Sequence, residues 1–133
     1  MTAFVDTSLF VAAYGLDGEA AQGKARTLLA KAERDGGLAT SPLVVDEVLW
    51  VTRRLNGNEA AIRLARHLLA TPGLAVLPLG AKETSAALDL MAETGLKPHD
   101  AFHAALALGH GCSLMLSLDA DFDRVEGLER RGY

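Results

Sequence analysis

The sequence lacks the features that are typical of disulfide-bonded, membrane-spanning and secreted proteins. Cysteine occurs once, at Cys112, so no intrachain disulfide can form and a reducing compartment is expected. No apolar run approaches the roughly 18–20 residues needed to span a bilayer. The N-terminal residues also lack the basic start and small-residue cleavage site of a secretory signal. We therefore expect a cytoplasmic protein without a membrane segment.

Aromatic residues and the common phosphate-binding and nucleophile motifs are scarce as well. The chain has one Trp, two Tyr and four Phe, too few for an extended base-stacking platform. The segment "NGNEAA" lacks the Lys-Ser/Thr end of a P-loop, and no Gly-x-Ser-x-Gly elbow is present. P-loop enzymes and serine hydrolases of the elbow type are thereby excluded.

The formal net charge of −4 weighs against a nucleic-acid partner only if the acids are spread over the surface. If five of the 17 acidic residues share one metal-binding pocket, 12 remain against 13 Lys and Arg, and the surface is nearly neutral. A bound cation would offset much of the charge in the pocket. A phosphate-bearing partner is therefore compatible with the composition.

The chain alternates short apolar runs with amphipathic helical segments, without repeats or a linker. This alternation predicts an α/β fold: one domain over residues 1–133, with a central, mainly parallel sheet of four to five strands flanked by helices. Ser41 as cap and Pro42 as first residue predict the start of one of these helices. The predicted strands are Ala3 to Val5, Leu38 to Thr40, Leu74 to Leu77 and Ser113 to Leu116, with a short fifth near Arg130.

Two aspartates directly follow predicted strands. Asp6 ends the run "MTAFVD", and Asp119 follows "LMLSL". Ligands of open α/β sheets bind at the carboxyl ends of the strands, so we expect both carboxylates at that edge. The alternative for the first stretch is a helix cap formed by Asp6, Thr7 or Ser8.

The segment "LSLDADFDRV" places three acids at alternate positions, a pattern that suggests cation binding through hard oxygen ligands. An EF-hand is excluded, because Arg124 and Arg130 stand where that loop needs Gly and Glu. We interpret Asp123 as a solvated turn residue and Asp119 as a functional one.

Glu47 lies on a predicted amphipathic helix. On a helical wheel it stands between Leu43 and Val51, with Val44 and Trp50 beside them on the same side. A carboxylate on a buried face is costly unless it is paired or coordinates a cation. This position therefore indicates a functional acid, and the alternative is a glutamate that extends to solvent at a groove.

Asp100 lies in the first turn of the helix "PHDAFHAALAL", where the helix dipole alone favours an acid. The small residues Ala104 and Ala107 on the same face would let this helix pack closely on the sheet and hold Asp100 near the strand ends. His99 and His103 have zinc-ligand spacing, but a clear third ligand is missing and Asp stands where the zinc motif needs Glu. We expect His103 to be a secondary contact of the pocket.

Arg53 and Arg54 suggest a basic strip beside this pocket, for contact with RNA or a protein partner. The alternative is an ordinary solvated helix face.

Four segments together resemble the PIN-domain proteins, in particular the VapC-type ribonuclease toxins of toxin–antitoxin pairs. The similarity runs from the first predicted strand to the end of the chain, and Ser117 stands where that family often has threonine. The segments are "FVDTSLF", "SPLVVDEVLW", "LKPHDAFHAALAL" and "LSLDADFDRV".

The resemblance implies a metal-dependent endoribonuclease that hydrolyses phosphodiester bonds of RNA with one or two Mg²⁺ or Mn²⁺ ions. It also implies a small cognate antitoxin and a homodimer. Ser8 and Ser117 would support the pocket, with Ser8 as the helix cap. The implied catalytic residues are Asp6, Glu47, Asp100 and Asp119, and the metal ligands assigned are Asp6, Asp100, Asp119 and Asp121.

Two alternatives stay open at this stage. A non-catalytic PIN-like module could bind RNA or protein without cutting, although the complete set of acids argues against it. An Mg²⁺-dependent phosphotransfer domain would need further acids close to Asp6, where the chain has Thr7 and Ser8.

Overall fold

The apolar runs form five short strands in the computed structural model, which describes residues 1–133. All neighbouring strands are parallel, in the order β3-β2-β1-β4-β5. The α/β fold with a mainly parallel sheet is therefore confirmed. The strands are β1 (Ala3–Val5), β2 (Leu38–Thr40), β3 (Leu74–Val76), β4 (Leu114–Leu116) and β5 (Glu129–Arg131).

Six α-helices and one 3-10 helix connect and flank these strands. None of the helices combines the length and apolar composition that crossing a bilayer requires. The helices are α1 (Thr7–Ala13), α2 (Glu19–Gly36), α3 (Pro42–Asn56), α4 (Asn58–Leu69), α5 (Ala81–Thr94) and α6 (Pro98–Gly109), and the 3-10 helix is Ala120–Arg124.

The helix starts agree with the capping prediction in one case and differ from it in another. Ser41 Oγ accepts a hydrogen bond from the Val44 N–H at 3.1 Å, and so caps α3 as predicted. The prediction that Ser8 caps α1 was wrong, because Asp6 occupies the cap position and Ser8 lies inside the helix. The Asp6 carboxylate makes no capping bond either, which leaves it free for other partners.

The core lies on both faces of the central strand. All three residues of β1 are fully buried, as an interior parallel strand requires. Ala104 and Ala107 of α6 are also fully buried. These small side chains let the helix approach the sheet closely, and Asp100 in the first turn lies near the strand ends as a result.

The buried face of α3 differs from the predicted one. Its buried residues are Val44, Val48 and Thr52, whereas Trp50 is 60% exposed. Glu47 therefore lies at the margin of the buried face and not at its centre, with its side chain 24% exposed. The difference arises because the apolar stripe of α3 is broad, and the neighbouring helices cover only one side of it.

Candidate active site

Asp6 lies at the junction of the two central strands. Its backbone N–H continues the sheet by donating to the Leu116 carbonyl at 3.0 Å. Its carboxylate is buried and accepts hydrogen bonds from two hydroxyls at Oδ2, from Ser117 at 2.7 Å and from Ser8 at 3.2 Å. No lysine or arginine pairs with Asp6, so these neutral donors and the nearby imidazole of His103 surround a buried negative charge.

Ser8 and Ser117 also hold the chain that leads to Asp119. Ser8 Oγ accepts from the Leu118 N–H at 3.1 Å, and Ser117 Oγ accepts from the Asp119 N–H at 3.0 Å. Each hydroxyl thus donates to Asp6 and accepts from the segment after β4. The structure places both predicted supporting residues between the ends of β1 and β4.

Three acids bring carboxylate oxygens close together at this edge of the sheet. Asp100, Asp119 and Asp121 each offer one oxygen, and these oxygens lie within 4.8 Å of one another. Asp119 Oδ1 accepts from the Asp121 N–H at 2.9 Å, and Asp121 pairs with Arg124 at 3.2 Å. An arrangement of carboxylate oxygens alone suits a hard divalent cation.

The charges of this group act on Asp100. Burial, together with the negative charges of Asp119, Asp6 and Glu47, raises the pKa of the Asp100 carboxyl to about 6 against the opposing effect of His103. The cation-free site therefore holds more negative charge than it readily accommodates. A bound cation would relieve this repulsion.

This shift predicts the pH dependence of stability without bound metal. The pKa of Asp100 in the folded chain, about 6, lies above its ordinary value of 3.8. The folded state binds more protons between these values, so the free energy of unfolding falls as the pH rises through them. Urea titrations in EDTA should show this fall in the wild type and a weaker one in Asp100→Asn. Equal slopes in the two proteins would contradict the prediction.

Glu47 approaches the acids from α3 and contacts two histidines. Its Oε1 lies 2.5 Å from His103 Nε2, and its Oε2 lies 3.7 Å from His99 Nδ1. Burial disfavours the charged form, but the hydrogen bond from His103 and the favourable electrostatic interaction with both imidazoles hold the pKa of Glu47 below its ordinary value. Glu47 thus stays ionised beside the three acids without belonging to their group.

The two histidines do not form a zinc site. His103 is almost completely buried, whereas His99 is 55% exposed, and each faces Glu47. No group of three metal-ligating side chains includes either of them. The structure thus makes His103 a direct partner of Glu47, a contact that the sequence did not indicate.

Glu47, Asp100 and Asp119 open onto a polar cleft of about 410 Å³. Lys97 brings a positive charge and His99 an imidazole to this cleft, and neither residue was predicted from the sequence to lie there. The sequence feature that could have identified them is their place beside Pro98, at the start of the helix that carries Asp100. The cleft is lined by Glu47, Lys97, Pro98, His99, Asp100 and Asp119.

Arg53 and Arg54 lie apart from this cleft. Arg53 lines a groove between α3 and α4 that also contains Trp50 and Ile62, and neither arginine forms an ion pair. Their contact with RNA or a protein stays a prediction.

Comparison with known proteins gives one family and consistent structural neighbours. VapC20 of Mycobacterium tuberculosis, described as a sarcin-ricin loop cleaving toxin, is 26% identical, with 91% of this chain and 92% of that chain covered and a TM-score of 0.77. VapBC2 from Rickettsia felis, bound to a promoter DNA fragment, has 18% identity, coverage of 99% and 98% and a TM-score of 0.78.

A toxin–antitoxin complex from Klebsiella pneumoniae has 19% identity, coverage of 96% and 95% and a TM-score of 0.73. No curated protein sequence matches the chain. The PIN-domain family model matches residues 3–128, which is nearly the whole sequence. With the strand order and the convergent acids described above, this match establishes that the chain belongs to the PIN-domain family, as its motifs predicted.

Proposed function

We propose that the protein is a metal-dependent endoribonuclease that hydrolyses phosphodiester bonds of RNA, as the toxin of a toxin–antitoxin pair. The observation that carries this proposal is the group formed by Asp100, Asp119 and Asp121 beside the buried Asp6, in a PIN domain. The similarity to VapC20, a sarcin-ricin loop cleaving toxin, supports RNA as the substrate.

The chemistry of the donors fits Mg²⁺ or Mn²⁺. The group contains carboxylates only, with no thiolate or imidazole among its ligand atoms, and such oxygen ligands favour hard cations. When bound, one or two such ions supply the charge that binds the scissile phosphate and lowers the pKa of the attacking water. The proposed ligands are Asp6, Asp100, Asp119 and Asp121.

The protein's own contribution is to hold these acids in place before substrate arrives. Ser8 and Ser117 fix Asp6, and the Ser117 hydroxyl also fixes the backbone at Asp119. Glu47 supplies a further ionised carboxylate to the cleft. Lys97 at the same cleft provides positive charge for RNA phosphates, and the imidazole of His99 lies beside it.

The test is cleavage of RNA with and without divalent metal. We expect cleavage in Mg²⁺ or Mn²⁺, none in EDTA, and a loss of about 10²- to 10³-fold in Asp119→Asn. Asp123→Asn is the matched control, because Asp123 pairs with Arg130 at 2.8 Å and lies outside the acid group. Its cleavage rate should stay within about twofold of the wild type, since exposed ion pairs contribute little.

Two outcomes would contradict the proposal. Cleavage that persists in EDTA and in Asp119→Asn would mean that the acids are not the active site. Tight RNA binding without any cleavage would favour a non-catalytic RNA-binding module.

The proposal includes a small antitoxin protein as partner, a homodimer and a cytoplasmic location. Similarity to complexes of such toxins with antitoxins supports the first of these. The groove that contains Arg53 and Trp50 is one surface for such a contact, and Arg54 follows on the same helix. Co-purification with the product of an adjacent small gene, followed by loss of RNA cleavage in the complex, would test it.

A further inference from the structure

The contact between His103 and Glu47 joins two helices that are distant in the sequence. His103 lies on α6 and Glu47 on α3, 56 residues apart, and the Nε2 and Oε1 atoms are 2.5 Å apart. The His103 side chain is only 1% exposed, and the ring of Phe4 lies 5.9 Å from the imidazole. The imidazole is therefore enclosed by the core beside Glu47, which lines the polar cleft.

The hydrogen bond defines which nitrogen of His103 carries a proton. An ionised carboxylate only accepts hydrogen bonds, so Nε2 must be the donor. The same nitrogen lies 3.7 Å from Asp6 Oδ1, and Nδ1 has no hydrogen-bond partner. The polar function of this ring is thus directed entirely towards the acids of the cleft.

A role in the core alone does not explain a histidine at this position. The neighbours of His103 along α6 are buried alanine and leucine residues, and a leucine would fill the same kind of space. A buried ring nitrogen without a partner is unfavourable for folding. A residue that is unfavourable for the fold and directed at the active site is typical of a functional requirement.

We propose that His103 is a positioning residue that acts through Glu47. By donating Nε2–H to Oε1, it fixes the Glu47 carboxylate at the cleft that Asp100 and Asp119 also line. Glu47 has no lysine or arginine partner, so its orientation depends on this bond, on the longer contact with His99 and on the nearby Thr7 hydroxyl. The inference rests on the proposed ribonuclease activity for its kinetic consequence, but the hydrogen bond itself can be tested without it.

A double-mutant cycle tests whether His103 acts through Glu47. We expect His103→Leu to lower kcat about 10- to 100-fold, the range found when a residue that orients an active-site ligand is removed, with the KM for RNA nearly unchanged. In a Glu47→Ala background the same substitution should cause little further loss. His103→Gln, whose amide nitrogen can donate to Glu47, should recover part of the rate. Losses that multiply in the double variant would overturn the inference.

The matched control is His110→Leu. His110 follows the same helix and faces Glu83 at 3.6 Å, away from the cleft, so its loss should leave kcat unchanged. Thermal melts of all variants separate a fall in kcat from partial unfolding.

Nitrogen-15 NMR of the histidine rings gives a readout that needs no activity. We expect His103 in the metal-free protein to carry its proton on Nε2, with a low-field proton resonance that moves upfield in Glu47→Ala. A proton found only on Nδ1, or a resonance that Glu47→Ala leaves unchanged, would overturn the inference even if RNA is cleaved. If the wild type cleaves no RNA, the proposed function fails, and this resonance alone decides whether His103 positions Glu47.

Discussion

Asp100→Asn is expected to slow RNA cleavage strongly and to stabilise the metal-free protein at the same time. The rate should fall about 10²- to 10³-fold, because a charged oxygen of the acid group is replaced by a neutral amide. The free energy of unfolding should rise by about 1 kcal/mol near neutral pH, because the cost of burying a charged carboxylate and its repulsion from Asp119 and Asp6 are both removed. This gain is smaller than the full pKa shift would give, since solvent in the open cleft screens the charges.

Cleavage assays in Mg²⁺ and urea denaturation in EDTA measure the two effects. Added Mn²⁺ should raise the stability of the wild type by mass action and that of Asp100→Asn much less. Asp89→Asn is the matched control, because Asp89 is exposed on α5 and forms no ion pair. A less stable Asp100→Asn would show that the acids do not repel one another as described. Cleavage by this variant at the wild-type rate would show that Asp100 is not part of the active site.

Phe122→Ala is expected to have the largest effect on stability among substitutions near the site. Phe122 is fully buried and lies in the 3-10 helix that follows Asp119 and contains Asp121. Removing a buried phenyl ring costs about 3–5 kcal/mol, through lost burial and the cavity left behind. The same loss should loosen the segment that carries the two acids, so Mn²⁺ should bind more weakly.

Leu68→Ala separates these two consequences. Leu68 is also fully buried, but it lies on α4, which carries none of the acids. We expect a loss of about 2–5 kcal/mol, with unchanged Mn²⁺ affinity in the protein that stays folded. Urea denaturation and calorimetric titration with Mn²⁺ measure the two quantities. If both variants weaken Mn²⁺ binding equally, Phe122 does not specifically support the acidic segment.

The sequence predicts the convergence of Asp6 and Asp119 because parallel strands end at one edge of a sheet. That rule depends only on recognising β1 and β4, which both have unambiguous apolar runs. Asp100 follows from the small residues that let α6 approach the sheet. Predicting the places of these three residues required only local sequence patterns and one rule of sheet topology.

Other features depend on how helices rotate against each other, which local patterns do not determine. Trp50 was predicted on the buried face of α3 and is largely exposed, because the apolar stripe is wider than the surface that covers it. The partnership of His103 and Glu47 requires the relative placement of α3 and α6. Ser8 was predicted as a cap and instead bonds to Asp6, because the segment after β4 brings Ser117 and Leu118 to meet it.

The position of β1 at the centre of the sheet determines when the site can form during protein synthesis. Asp6 leaves the ribosome well before its hydrogen-bond partner Ser117, which comes 111 residues later, and Asp119 comes later still. Pairing of β1 with β4 closes a loop of most of the chain, and such long-range contacts form late in folding. A ribosome that translates this protein therefore holds an incomplete acid cluster until nearly the whole domain has emerged. If the protein cleaves RNA as proposed, this topology delays its activity until the segment after β4 has been synthesised.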